Sequence, residues 1–219
     1  MNRILNSTKL DLYTSKSTLK LTAILLIPAI IMGVASHGPE YAMLFTMVFA
    51  VTSCGTISST QEKNHSEKLY GILPLKKNEM IVGRYLYALI IGAAYSVTAG
   101  IMGFVLSQAM GGSLDALSYW AALAVGFVYF GFAVGVSYPI YLKFTFAKAY
   151  IFTMLPMYII AVLLLLLTRK TNFISNLGQI TRFFTDHLYL APIFGLLGGL
   201  ILLTVSALAA NLIYTSKEI

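Results

Sequence analysis

Six stretches of this chain contain no Asp, Glu, Lys or Arg, and each is long enough to cross a lipid bilayer. A helix needs about 20 consecutive apolar residues to span the hydrocarbon layer. Backbone groups inside a bilayer must be hydrogen-bonded within the protein, which favours helices over irregular structure. The sequence therefore predicts an all-α integral membrane protein with six transmembrane helices. In chain order they are Leu21–Pro39, Tyr41–Gln61, Tyr85–Leu114, Ala116–Leu142, Ala149–Thr168 and Leu188–Ser216.

The composition agrees with a membrane protein. Only 11% of the residues are charged, whereas about 25% are charged in a typical soluble domain. No soluble domain or internal repeat interrupts the spans, so residues 1–219 are predicted to form a single transmembrane domain. The net charge of +7 does not indicate nucleic-acid binding, because the cations flank the spans. There they meet anionic headgroups, which makes membrane lipids the expected partners.

The distribution of Lys and Arg predicts the orientation. With the N-terminus in the cytoplasm, the inner segments carry twelve of these residues and the outer segments carry Arg169, Lys170 and Arg182. Cytoplasmic loops of membrane proteins are enriched in Lys and Arg. Both termini and the charged segment 61–84 are therefore predicted to be cytoplasmic.

Residues 1–18 precede the first predicted span. Ile4, Leu5, Leu12 and Leu19 occur before this span together with Arg3, Lys9 and Lys16, and the leucines fall on one side at helical period. This pattern predicts an interfacial helix that lies along the inner leaflet. The alternative is a polar tail without helical structure.

Several kinds of site are missing from the sequence. All eight acidic residues lie outside the predicted spans or at their ends, whereas proton-coupled transporters need ionisable groups at membrane depth. His37, His65, His187 and Cys54 share no spacing typical of metal ligands. No glycine-rich phosphate-binding loop is present. We therefore predict no catalytic residues and no metal site, and any energy for work must come from another polypeptide.

The segment 61–84 is amphipathic. Leu69, Ile72 and Leu73 recur at helical spacing, and Pro74 ends the helix that they predict. Such a helix can place its apolar face in a groove on a soluble partner. It can equally rest that face on lipid headgroups, and the pattern alone does not distinguish the two.

The order of residues along this segment resembles a known family. It matches the loop after the second span in small permease subunits of type-2 ABC transporters, and Lys9 and Asp11 resemble the start of those subunits. The chain is most similar to Gram-positive exporters of amphipathic peptides, such as phenol-soluble modulin exporters, and to peptide-immunity permeases. The matching positions are Glu67, Leu69, Tyr70, Leu73, Pro74, Leu75, Lys77, Glu79, Arg84, Tyr85 and Leu86.

The resemblance implies that the segment carries a coupling helix that docks on a separate ATP-binding cassette subunit. ATP and Mg would bind to that subunit, so the present chain would be no enzyme and would bind no cofactor. Two permeases would pair, as a homodimer or a heterodimer, in the bacterial cytoplasmic membrane. The residues implied in docking are Glu67, Lys68, Leu69, Tyr70, Ile72, Leu73 and Pro74.

The function implied is export of hydrophobic or amphipathic molecules, peptides above all, powered by the partner subunit. One alternative is a membrane protein that recruits a cytoplasmic partner through segment 61–84 without transport. Another is an ATP-independent carrier or channel for a neutral solute.

Two pairs of glycines allow close approach of helices. Gly131 and Gly135 lie four residues apart in the fourth predicted span, and Gly195 and Gly199 do so in the sixth. Small residues at this spacing line contacts between membrane helices. They indicate either an interface between two permeases or packing within one subunit.

The tyrosines fall into two groups by depth. Tyr95, Tyr129 and Tyr158 lie deeper in the predicted spans and are candidates for a substrate path. Five further tyrosines lie near the inner ends of the spans, where an aromatic belt is expected. These are Tyr85, Tyr87, Tyr138, Tyr141 and Tyr150.

Overall fold

The computed structural model of the chain describes residues 2–24, 26–63, 77–111, 115–144, 149 and 190–215. The described ranges contain no strand, which confirms the all-α prediction for this part of the chain. The helices in these ranges are α1 (Asn2–Ile24), α2 (Leu26–Ala35), α3 (Pro39–Lys63), α4 (Lys77–Ala109), α5 (Ala116–Lys143) and α6 (Leu190–Thr215).

Four described helices are long and apolar enough to cross a membrane: Pro39–Lys63, Asn78–Ala109, Ala116–Lys143 and Pro192–Ile213. They coincide with the second, third, fourth and sixth predicted spans. The fifth, Ala149–Thr168, lies outside the described residues except for Ala149. That span therefore stays a prediction.

The first predicted span, Leu21–Pro39, covers the last four described residues of α1 and the whole of α2. Residue 25, between them, is outside the described part of the chain. α2 by itself has 10 residues and is thus about 15 Å long, about half the thickness of the hydrocarbon layer. A transmembrane helix over Leu21–Pro39 therefore stays a prediction.

A tight turn at residues 36–38 joins α2 to α3. His37 adopts a positive φ of 50°, and α3 then begins at Pro39, a position that suits the fixed φ of proline. The turn lays α2 against α3 at small residues: a Cβ on Gly33 would lie 2.7 Å from the Cβ of Ala42. That this turn faces the outside of a cell stays a prediction.

The core lies among α3, α4 and α5. Phe130 of α5 is fully buried and fills the space beside Gly92 of α4. Tyr85, Tyr87 and Tyr138 belong to the same core, with exposed fractions of 6%, 0% and 2%. The prediction that these three tyrosines form an aromatic belt is therefore wrong. Their rings pack between helices instead of facing headgroups.

The predicted glycine faces meet within the chain. A Cβ on Gly131 of α5 would lie 2.7 Å from the carbonyl oxygen of Gly199 of α6, and one on Gly195 would lie 2.5 Å from the Cα of Ala124. Gly135 faces Ser206 of α6 at an ordinary contact distance of 3.4 Å. The glycines are thus used in packing within one subunit, the second of the two interpretations. An interface between permeases finds no support from them.

Candidate functional site at the base of segment 61–84

The residues implied in docking lie between the end of α3 at Lys63 and the start of α4 at Lys77. Residues 64–76 are outside the described part of the chain, so the docking residues stay a prediction. The structure does show the two helix ends from which this segment begins and to which it returns. We describe these ends and their neighbours as the candidate site.

Three polar side chains from three helices meet at these helix ends. Asp11 of α1, Gln61 of α3 and Arg84 of α4 are only 2%, 7% and 7% exposed. An Arg84 terminal nitrogen donates to Gln61 Oε1 at 2.5 Å, and Gln61 Nε2 donates to Asp11 Oδ1 over a longer 3.5 Å. We call these three residues the base bridge. They connect α1 to both helices that hold segment 61–84.

In the base bridge, each polar atom of the Gln61 amide faces a side chain of the opposite charge. The amide of Gln61 turns its oxygen to the guanidinium of Arg84 and its nitrogen to the carboxylate of Asp11. Burial of a charge is unfavourable unless a partner and hydrogen bonds offset it. Arg84 and Asp11 therefore stabilise each other's burial through one neutral amide. Arg84 Nε is also buried, and within the described ranges it has no hydrogen-bond partner.

The polar side of α1 is the side that packs on the protein. Ser7, Asp11 and Ser15 lie four residues apart, which places them on one face of a helix, and they are 1%, 2% and 0% exposed. On the opposite side, Leu5 is 43% exposed and Tyr13 is 75% exposed. The expected interfacial helix over 1–18 is thus part of a longer helix, and it buries small polar residues rather than a leucine face.

Gly83 allows α1 to lie close to α4. A Cβ at this position would be 2.8 Å from the Cβ of Ser7 and 3.3 Å from the carbonyl oxygen of Ile4. The Thr8 hydroxyl lies 3.1 Å from the Gly83 carbonyl oxygen and equally 3.1 Å from the Ile4 carbonyl oxygen of its own helix, so its one hydrogen is shared between these two acceptors. A glycine is needed here because the helix backbones themselves approach. The contact fixes the position of Asp11 one turn further along α1.

A second polar contact begins at the residue after Arg84. The Tyr85 hydroxyl lies 2.6 Å from Ser206 Oγ, and Ser206 donates its only hydrogen to the Gly135 carbonyl at 2.5 Å. Tyr85 is therefore the donor to Ser206. Its ring packs edge-to-face on Tyr138, with the centroids 5.3 Å apart. These contacts tie the start of α4 to α5 and α6.

The tyrosines proposed for a substrate path are only partly described. Tyr95 is half-buried between α3 and α4, and its hydroxyl lies 2.8 Å from Ser53 Oγ. Ser53 donates to the Phe49 carbonyl, so Tyr95 donates to Ser53. Tyr129 is half-buried on α5, and Tyr158 lies outside the described residues. A path shared by the three stays a prediction.

The comparison with protein families is decisive for the class of this chain. A family model described as ABC-2 family transporter protein matches residues 8–215. The chain belongs to this family. No curated protein and no solved structure matches it. The resemblance found in the sequence is thereby confirmed at the level of an ABC-2 type permease, and the peptide-exporter subtype is not.

Family membership states what kind of component the permease is. ABC-2 permeases are the membrane components of transporters, and in general they imply an ATP-binding cassette partner. The helices long enough to span a membrane agree with a multi-pass membrane protein. The matched region begins at Thr8, so all three residues of the base bridge lie inside it. Among the described residues of the permease, no group of His, Cys, Asp or Glu is placed to hold a metal ion.

The base bridge was not predicted from the sequence. In the sequence, Asp11 and Arg84 are recognisable only as parts of the family pattern, and Gln61 only as the end of a predicted span. The one available signal was the row of small polar residues at Ser7, Asp11 and Ser15, which repeats at helical period. That row identifies a face of α1, but the partners of the face are far away in the sequence.

Proposed function

We propose that this permease is the membrane subunit of an ABC exporter of hydrophobic or amphipathic molecules, with amphipathic peptides as the main class. ATP and Mg bind to a separate ATP-binding cassette subunit, and hydrolysis there drives export. Segment 61–84 is the coupling element that docks on this subunit. The permease lies in the bacterial cytoplasmic membrane with both termini in the cytoplasm, and it pairs with a second permease.

The proposed coupling role of segment 61–84 is supported above all by one hydrogen bond. Arg84 of α4 donates to Gln61 of α3 at 2.5 Å, with both side chains buried. This bond joins the two ends of segment 61–84, which gives the segment a fixed base on long helices. A docking element needs such a base. If its two ends moved independently, a displacement at its tip would not be passed on to the membrane helices. A segment that only rested on lipid headgroups has no comparable need.

The composition of the described spans supports the class of substrate. The helix part Pro192–Ile213 contains no charged residue, and Ala116–Lys143 carries only Lys143, at its end. Charged groups at membrane depth mark paths for ions and charged solutes. An uncharged set of spans suits a substrate that brings its own apolar face from the inner leaflet. The substrate class rests on this argument and on the resemblance to peptide exporters.

Reconstitution tests the proposal as a whole. The permease is purified with the ATP-binding subunit that copurifies with it and is placed in liposomes with a fluorescently labelled amphipathic helical peptide. We expect peptide movement that requires ATP and Mg and stops with a nonhydrolysable analogue. Binding of the ATPase without peptide movement would favour the recruiting protein instead. Movement by the permease alone, without ATP, would favour the carrier or channel.

The proposed orientation predicts a difference between two engineered cysteines. In a Cys54→Ala background, which removes the only native cysteine, His37→Cys should react with an impermeant thiol reagent on intact cells. His65→Cys should react only after the membrane is opened, because segment 61–84 is proposed to be cytoplasmic. The measurement is the labelled fraction before and after permeabilisation. Labelling of position 65 on intact cells would reverse the topology.

Because ATP is proposed to bind to the separate cassette subunit, we expect that the purified permease hydrolyses no ATP. Hydrolysis should appear when the cassette subunit is added and should follow the amount of that subunit. The measurement is phosphate release, with a preparation of the cassette subunit lacking its catalytic carboxylate as the control for contamination. Release by the permease alone at the same rate would show a nucleotide site in this chain.

A further inference from the structure

We propose that the base bridge makes α1 move as one body with the two ends of segment 61–84, so that displacement of this segment by the ATPase is transmitted to α1. Asp11, Gln61 and Arg84 are positioning residues in this proposal. It rests on the proposed function for the source of the displacement. It goes beyond that function because it makes the N-terminal helix part of the moving unit.

The first support for this proposal is the identity of the face that α1 buries. A helix that merely lay on the membrane would bury apolar side chains and leave polar ones to water. α1 instead packs polar residues on the protein, since Ser7, Asp11 and Ser15 are buried against it while Leu5 and Tyr13 lie on the side that the protein leaves exposed. Its polar face is therefore specific for the protein surface that it meets. Attachment to that surface, rather than to lipid, fixes where α1 lies.

The second support is that two contacts hold α1 to α4 in the same turn. α1 packs closely on Gly83, where the Thr8 hydroxyl shares its hydrogen between the Gly83 and Ile4 carbonyls at 3.1 Å, and the neighbouring Arg84 reaches Asp11 through Gln61. One contact alone is a hinge about which α1 can turn. Two contacts, one of them to the last turn of α3, restrict both sliding and rotation. A push on either end of segment 61–84 must therefore move α1.

The third support is the incomplete bonding of Arg84. Its Nε–H is buried without an acceptor among the residues that the structure describes, although buried donors are nearly always paired. A small shift of the bridge can give this donor a partner that the present arrangement lacks. The bridge is thus suited to exist in more than one arrangement while Asp11 and Gln61 keep the helices together.

Neutral substitutions in the bridge test transmission. In the complex with the ATPase, Arg84→Gln and Asp11→Asn should each lower peptide transport per ATP hydrolysed by about fivefold or more. The double variant should be no worse than the single ones, because residues in one network are not additive. Lys9→Gln is the matched control: it removes one charge from the exposed side of α1 and should leave the ratio unchanged.

Thermal unfolding of the isolated permease tests the attachment of α1 without the ATPase. Arg84→Gln and Asp11→Asn should each lower the unfolding temperature by about 2–4 °C, because each leaves a buried partner without its charge. Lys9→Gln, on the exposed side of α1, should leave the unfolding temperature unchanged.

The outcomes separate this inference from the proposed function. If the wild-type permease binds no ATPase, the proposed function fails, while unfolding of the isolated permease still shows whether the bridge holds α1. If wild type transports and Arg84→Gln keeps the same ratio of transport to hydrolysis, the inference is wrong. It is also overturned if Lys9→Gln lowers this ratio as much as Arg84→Gln does.

Discussion

Replacing Tyr70 with aspartate should weaken the complex with the ATP-binding subunit by at least about tenfold, while the permease still inserts and folds. Burial of a Leu or Tyr side chain contributes about 1.5–3 kcal/mol, and a tenfold change in affinity corresponds to about 1.4 kcal/mol. A few central residues usually supply most of the binding energy of an interface. Leu69→Asp should act in the same way, since both residues belong to the proposed docking face.

Lys76→Ala is the control for this prediction. Exposed ion pairs contribute only about 0–1 kcal/mol, so loss of Lys76 should change the affinity little. The measurement is a titration of the ATPase onto the permease in detergent, with size-exclusion behaviour as the test of folding. Undiminished binding by Tyr70→Asp, or loss of binding by Lys76→Ala, would contradict docking through this face. Glu67→Gln adds a test of whether the carboxylate pairs with a basic group on the partner.

The second large effect is expected where α5 and α6 meet. Gly131→Ala should lower the free energy of unfolding by about 1–3 kcal/mol. The added methyl group would lie 2.7 Å from the carbonyl oxygen and 2.9 Å from the Cα of Gly199. These are backbone atoms of a packed helix, so the two helices must move apart. The measurement is thermal unfolding in detergent, followed by circular dichroism.

Gly198→Ala is a matched control in the same helix pair. Its new methyl group would lie 3.5 Å from Val128 Cγ2, an ordinary contact with a side chain. Both substitutions gain the same intrinsic helix propensity, about 1 kcal/mol, so their difference reports packing alone. Gly198→Ala should be as stable as the wild type or more so. Equal stability of the two variants would show that α5 and α6 do not pack through Gly131 and Gly199.

Both experiments bear on the arrangement of the whole transporter. The first removes the proposed contact with the source of energy and leaves the membrane part intact. The second loosens the membrane part and leaves segment 61–84 untouched. A permease that loses transport through Gly131→Ala but keeps its ATPase would show that hydrolysis and the membrane helices are coupled through packing as well as through docking.

Much of the architecture follows from the sequence by itself. Four of the charge-free stretches are helices long enough for a membrane, because apolar side chains suit the bilayer and only internal hydrogen bonds can satisfy the backbone there. The turn at Ser36–Gly38 and the family also follow from local residues and their order. These features depend on neighbours in the chain, so reading along the chain suffices to find them.

The tertiary structure alone decided which surfaces meet. Asp11, Gln61 and Arg84 are separated by 50 and 23 positions along the chain, and no local pattern brings them together. The same is true of Tyr85 and Ser206, which lie 121 positions apart. Hydropathy identifies an apolar residue but not its neighbour, so it placed Tyr87 and Tyr138 in a belt when both are core residues. In a membrane, lipid and protein are equally apolar, and helix faces are therefore selected by close fit and by polar contacts that the linear sequence does not record.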